Sequence, residues 1–409
     1  MFRPVLFTVL AWLGTATWLH AQDPVIDVQA VFQTAARKAL AHDARHPQYD
    51  AFPDEARGPV WKTVNRHDWV SGFYPGSLWY ITEYARRNHW SDAATWEQRA
   101  RAWTQPLHAL QDDTSTHDLG FMVFDSVGHD YRLTQDSAAK EVLLRSAASL
   151  AERFVPSAQI IRSWGQIGDS KAIIIIDNMM NLELLWWASE HGGTTRGGTS
   201  ADLKHVAITH ADHVLNEFFR PDGSTYHRVD LDAASGTVQR KTTAQGKGPE
   251  TCWSRGQTWA IYGFAYMAEV TGEARFLAAS LKAADYYIAH LPADLIPPSD
   301  FNSTLTGLEF QDSSAAPVAA SAFYRLARLV EKGDPARAEQ LRSLADRTLV
   351  NLTRAPYFAP GDDQASLLVY GARNYHPDPK NRLTNISLIW GDYYLLEALL
   401  QYDARQRAR

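Results

Sequence analysis

A helical hairpin that recurs along the chain limits the fold more than any other feature. In GSLWYITEYARRNHWSDAATWEQRARAWTQPLHAL an apolar helix is followed by a short polar turn and an amphipathic helix. The plan returns in GFMVFDSVGHDYRLTQDSAAKEVLLRSAASLAERFV, in GQTWAIYGFAYMAEVTGEARFLAASLKAADYYIAHL and in SAAPVAASAFYRLARLVEKGDPARAEQLRSLADRTLVNL. AIIIIDNMMNLELLWWASE followed by 201–219 is a fifth case. The first helix of each hairpin is apolar and aromatic nearly all round, so it must be buried. The second carries charge on one face and apolar residues at i, i+3 and i+4, so it faces solvent. Such hairpins cannot bury their inner faces alone and must stack or close. Helices at about 26–43 and about 388–403 bring the count to roughly twelve. Six inner–outer pairs predict an all-α chain closed into an (α/α)6 barrel.

Two stretches depart from this plan. RPDGSTYHRVDLDAASGTVQRKTTAQGKG alternates Thr, Val and Tyr around Asp-Gly and Ser-Gly, and predicts a small β-hairpin inserted at one end. The first residues, MFRPVLFTVLAWLGTATWLHAQDP, hold one early Arg, an apolar stretch and a small-residue end near Ala21. They read as a secretory signal over 1–21, and the apolar part is too short and interrupted for a membrane span. No low-complexity linker follows, since GGTTRGGTSAD is only a short loop. One catalytic domain over 22–409 is therefore expected, exported to a periplasm or beyond. The single Cys252 allows neither a disulfide framework nor a CxxC metal site. A net charge of −6 without a basic stripe argues against nucleic acid.

Polar residues collect where the inner helices begin: NRHDWVSGFYPGSLW, THDLGF, IIIIDNMMN, ETCWSRGQTW, QDSSAAP and SLIWGDYY. In a barrel of hairpins all inner helices start at one end, so these residues converge on one mouth. Helix N-termini there favour an anionic ligand. Asp118, Asp312 and Asp392 each have a structural reading as a cap or brace. Asp177 fits a cap only if the isoleucines before it form an extended lead-in, and a structural carboxylate bonded to backbone amides is its other reading. Walled by Ile and Met, it has a pKa raised by desolvation, while Asp118 sits beside His117 at a helix start. Two carboxyls in unlike settings suit acid–base work. His205, His210 and His213 lie on an outer helix and read as surface or interhelix residues, so no metal is expected.

HDLGF, IIIIDNMMNLELLWWASE, CWSRGQTWAIYGFA, DSSAA and LIWGDYYLLEALL together resemble glycoside hydrolase family 88, the unsaturated glucuronyl hydrolases. The resemblance runs in order from about Trp69 to Leu400. It implies an (α/α)6 barrel, no metal or other cofactor, and lyase-generated oligosaccharides ending in a 4,5-unsaturated glucuronic acid as substrate. It implies that Asp177 protonates C4 of the vinyl ether and then activates the water that adds at C5, and that Asp118 is the second essential carboxyl. By the same resemblance Trp69 and Trp259 are aromatic walls, and His227, Gln245 and Arg255 surround the sugar and its carboxylate. Arg255 also fits the need of an anionic uronate for a cation. In ARNYHPDPKNRLTN the chain departs from relatives that favour sulfated substrates, so linkage and sulfation preference stay open. Unsaturated rhamnogalacturonyl hydrolases of family 105 share the barrel and the chemistry, although CWSRGQ and HDLGF point to family 88. A periplasmic sugar-binding protein would need the aromatics and Arg255 but not a proton-carrying Asp177.

Overall fold

The computed structural model describes residues 25–376 and 378–408. The leader expected over 1–21 lies outside the described residues. Helices α1 (Val28–Asp43), α2 (Phe73–Arg87) and α3 (Ala93–Thr104) come first, with strands β1 (Phe52–Ala56) and β2 (Trp61–Val64) between the first two. A π-helix (Gly120–Gly128) runs into α4 (His129–Thr134), and α5 (Ser137–Ala151) follows. Strands β3 (Phe154–Val155), β4 (Ile160–Ile161) and β5 (Lys171–Ile175) lead to a 3-10 turn (Ile176–Asn181) that continues as α6 (Leu182–Glu190). Then come α7 (Ser200–Phe218), β6 (Arg228–Asp232), β7 (Val238–Thr242), α8 (Ser254–Thr271), α9 (Ala274–Ala289), α10 (Ala315–Val330) and α11 (Pro335–Leu352). Strands β8 (Gly371–Asn374) and β9 (Leu383–Leu388) precede α12 (Ile389–Arg407).

Burial separates the two kinds of helix as their sequences demand. Every residue of α2 from Phe73 to Ala85 is buried, as is every residue of α10 from Ala315 to Tyr324. In the solvent-facing α3 only Trp96, Ala100, Trp103 and Thr104 are buried, one stripe of the helix. The inner segments form a ring. Helix α2 packs on the π-helix, which packs on the 3-10 turn and α6; these pack on α8, α8 on α10, α10 on α12, and α12 returns to α2. The outer partner of α2 is α3, while α1 packs on both α2 and α12, so the first and last helices complete the barrel together. Two glycines set how closely inner segments approach. A Cβ on Gly72 would lie 2.0 Å from the carbonyl oxygen of Phe121, and one on Gly263 would lie 2.6 Å from Met179 Cβ.

The strands gather at the end where inner helices begin. Strands β5, β6 and β7 form an antiparallel sheet with Ile173 opposite Asp230 and Arg228 opposite Thr242. The hairpin predicted within 220–250 is present, and the isoleucine run joins it as a third strand. Consecutive β-branched side chains favour extended backbone over helix, so the lead-in to Asp177 is a strand. A four-stranded sheet in the order β2-β1-β9-β8 was not anticipated. It places Glu55 opposite Leu388 and Gly371 opposite Ile386, and β9 feeds directly into α12. Among the described residues no helix is long and apolar enough to cross a membrane.

Candidate active site

Asp177 occupies the first turn after β5 and is buried. Its Oδ2 has no hydrogen-bond partner. Burial pushes the carboxyl up to about 7; Arg255 opposes this and the charge of Asp118 adds to it. His227 stands just before β6, where its carbonyl accepts the Ile176 N–H at 2.9 Å. Its Nδ1 accepts the N–H of Ala244 at 2.9 Å. Burial pulls this imidazole down to about 3, with Arg255 and Arg228 acting the same way, so the ring is neutral. A neutral ring that accepts at Nδ1 carries its proton on Nε2, and Nε2 lies 3.6 Å from Asp177 Oδ2. The indole N–H of Trp259 faces the same carboxyl closely enough to favour its charged form, yet is not aligned as a hydrogen bond. Asp177 Oδ2, His227 Nε2 and Trp259 Nε1 are thus buried polar atoms without partners, gathered in one place. Buried polar groups are nearly always paired, so a convergent set that is not marks a place where the polar groups of a ligand would find partners.

Asp118 lies on the other side of this carboxyl. It is half-buried, and its Oδ2 accepts from the Thr116 hydroxyl at 3.1 Å. Its carbonyl accepts the N–H of Met122, so it is a first-turn residue as well as a neighbour of Asp177. The segment that follows is wound as a π-helix, a rare form that occurs mostly at functional sites. The N–H of Phe121 donates to Asn181 Oδ1 at 3.2 Å and fastens this segment to the 3-10 turn. Phe121 also joins two predicted walls, packing on half-buried Trp69 with ring centroids 5.5 Å apart and on buried Trp259 at 5.4 Å. Trp69 leans on Trp390 at the start of α12. Gln245 is half-buried, and its side chain reaches the carbonyl of Arg373 at 3.4 Å, tying the end of the β6–β7 hairpin to β8.

Arg255 stands beside Asp177 and is also held by protein partners. Its side chain has essentially no accessible surface. Nη1 pairs with Asp312 Oδ2 at 2.7 Å and with the carbonyl of Ala372, and Nη2 donates to the carbonyl of Arg373. It holds β8 in place and acts on Asp177 through its charge, and its Nε is buried without a partner. Asp312 is the cap expected of it, with Oδ1 accepting the N–H groups of Ser314 and Ala372. Arg373 is likewise engaged, paired with Asp54 and near Glu55. His210 is an interhelix residue whose Nδ1 accepts the Ile161 N–H. No group of three His, Cys, Asp or Glu side chains suited to a metal ion occurs among the described residues. The sequence reading passed over Trp164, half-buried with its ring 6.3 Å from that of His227, and Asn178, buried next to Asp177. Asn178 was visible as the polar neighbour of Asp177 in an apolar run; nothing local singled out Trp164.

A closed (α/α)6 barrel with a buried carboxyl raised to about 7, a second carboxyl and aromatic rings beside it has the makings of carboxyl acid–base chemistry. No family model matches the chain. It is 32% identical over 342 residues to an unsaturated glucuronyl hydrolase of Formosa agariphila, covering 82% of this chain and 80% of that one. It is 30% identical over 384 residues to the unsaturated glucuronyl hydrolase of Bacillus sp. strain GL1, covering 91% and 97%. The solved structure of an unsaturated glucuronyl hydrolase specific for heparin superposes with a TM-score of 0.81 at 31% identity, over 93% of this chain and 98% of that one. The chain belongs to the unsaturated glucuronyl hydrolases.

Proposed function

We propose that the protein releases a non-reducing-end 4,5-unsaturated glucuronic acid from lyase-generated oligosaccharides, with Asp177 as the proton carrier. The observation that carries this reading is the buried, unpartnered Asp177 Oδ2, on a carboxyl that holds its proton up to a pH of about 7. An alkene carbon needs a donor that is still protonated near neutral pH. Asp177 gives its proton to C4, and the positive charge that develops at C5 is shared with the ring oxygen. The Asp177 carboxylate then takes a proton from water as the water oxygen bonds to C5. The hemiketal so formed collapses and frees the next sugar, and Asp177 is protonated again. His227, neutral with its proton on Nε2, orients the carboxyl. Trp69, Phe121 and Trp259 wall the sugar, and Gln245 holds the rim. The similarity to named unsaturated glucuronyl hydrolases favours this reading over a rhamnogalacturonyl hydrolase or a sugar-binding protein. The leader-like first 21 residues support work outside the cytoplasm.

The near-UV absorbance of a 4,5-unsaturated glucuronide tests the proposal, since hydration of the double bond abolishes it. The wild-type chain removes that absorbance from at least one product among lyase digests of ulvan, chondroitin, hyaluronan and heparin. Asp177→Asn keeps size and fold but has no proton to give, and turnover falls by at least the 10²–10⁴-fold typical of a general acid–base group. Turnover within tenfold of wild type in the folded variant removes Asp177 from the mechanism.

A further inference from the structure

The sheet of β5, β6 and β7 has two unlike faces, because side chains alternate along a strand. Ala172, Ile174, Val229 and Leu231 share one face and have essentially no accessible surface. Lys241 on that face donates to the carbonyl of Glu217 in α7, on which the sheet packs. The register puts Lys171, Arg228, Asp230 and Arg240 on the other face. Trp164 bridges Ile173 at the outer edge of β5 and belongs to that second face as well.

Cations outnumber acids where this face comes closest to the site. Asp230 is buried and both its oxygens are taken, Oδ1 by Arg228 Nε at 2.6 Å and Oδ2 by Lys171 Nζ at 2.8 Å. Two cations share that one carboxylate, so this part of the face is positive even before Arg240 is counted. Asp232, at the far end, accepts from the backbone of Ala234 and Ser235. Arg240 is exposed and has no ion pair among the described residues; its Nη2 turns to Thr242 Oγ1 at 3.4 Å. That contact aims the guanidinium along β7 toward the site. Thr242 stands opposite Arg228. Two residues on, about 7 Å of strand, Ala244 gives its N–H to His227 Nδ1. Arg228 lies over Trp164 with Cζ 5.4 Å from the ring centroid, and the same ring is 6.3 Å from that of His227.

We propose that Arg240, backed by Arg228 and Lys171, selects substrates with a sulfate ester on the sugar next to the unsaturated glucuronate. The inference rests on the function proposed above and names the substrate class for it. With the reacting ring at Asp177 and His227, the next sugar stands one glycosidic bond away, on the side where this positive face begins. A sulfate ester keeps its charge throughout the working pH range. Its oxygens suit the planar fork of a guanidinium, which an exposed Arg without a carboxylate is free to offer.

Loss of near-UV absorbance tests this with one unsaturated disaccharide prepared with and without a sulfate ester on its second sugar. The wild-type chain is expected to show the higher kcat/KM for the sulfated form, mostly through KM, and to lose that advantage as salt rises. Arg240→Gln should lower the ratio of the two kcat/KM values about fivefold, the size of one partly exposed ion pair. Arg240→Lys keeps the charge and most of the ratio. Lys332→Gln, just beyond the end of α10 at the opposite end of the barrel, removes a charge elsewhere and should leave the ratio as it is. A wild-type chain without preference for the sulfated form overturns the proposal. So does a folded Arg240→Gln with the wild-type ratio, or a Lys332→Gln that lowers the ratio equally. Failure of the underlying function shows differently, since the wild-type chain then consumes neither form.

Discussion

Asp177 and Asp392 are both buried aspartates whose carboxyls are pushed up to about 7 by burial. Both oxygens of Asp392 are occupied, by the N–H groups of Leu367 and Leu368 at 2.8 and 3.0 Å, and it braces the start of α12 as its sequence context suggested. Asp177 keeps one oxygen free. A raised pKa thus accompanies burial of either kind, and Asp177 differs from Asp392 in that its free oxygen faces the unpartnered ring nitrogens of His227 and Trp259. The sequence pointed to Asp177 because an acid in an isoleucine run is unusual, and to Asp118 through the residues around it. It also left the buried partners of Arg255 unseen, since a cation beside a site looks the same in sequence whether or not Asp312 and the β8 carbonyls hold it. Arg255→Met is accordingly expected to act first on the fold. It leaves Asp312 unpaired in the interior, at a cost of about 3–5 kcal/mol measured by denaturant unfolding. In whatever folds, the alkaline limb of the rate profile should rise, because the charge that lowers the pKa of Asp177 is gone. A variant of wild-type stability with only a weakened KM would return Arg255 to the role of direct ligand.

At the scale of elements, the inner helix starts were legible because burial all round and burial on one stripe leave different patterns in sequence. The β6–β7 hairpin was legible from its alternation and turn residues. The sheet β2-β1-β9-β8 was not, because its strands are short and β1 and β9 come from opposite ends of the chain. Pairing of that kind leaves no local trace. The π-helix after Asp118 was equally invisible, as its sequence is an ordinary apolar run. The close contact of α8 with the 3-10 turn supplies a test at this scale. Gly263→Ala drives a methyl against Met179, two residues from Asp177. Overpacking of this kind costs about 1–3 kcal/mol. The melting temperature should fall, and kcat should fall with it, because the displaced backbone is the one that carries the proton donor. A variant with unchanged melting and kcat would mean that the turn yields freely.

At the scale of the whole molecule, the barrel depends on contacts between the ends of its chain. Helix α12 stands between α10 and α2, and Trp390 at its start supports Trp69. A chain ended after Leu388 lacks one of six staves and leaves apolar faces of α2 and α10 uncovered. It should show no cooperative thermal transition and no turnover; a sharp transition by calorimetry would show that five pairs suffice. The same closure has a consequence for biosynthesis. A ribosome making this protein N-terminus first delivers α12 after the other five inner segments, so the ring stays open until that helix has been made. A product cut short before α12 exposes its sticky interior to proteases and chaperones, whereas a finished chain hides it. The active site is thereby complete only once α12 has joined the ring, and a chain without that helix cannot persist as a half-working enzyme.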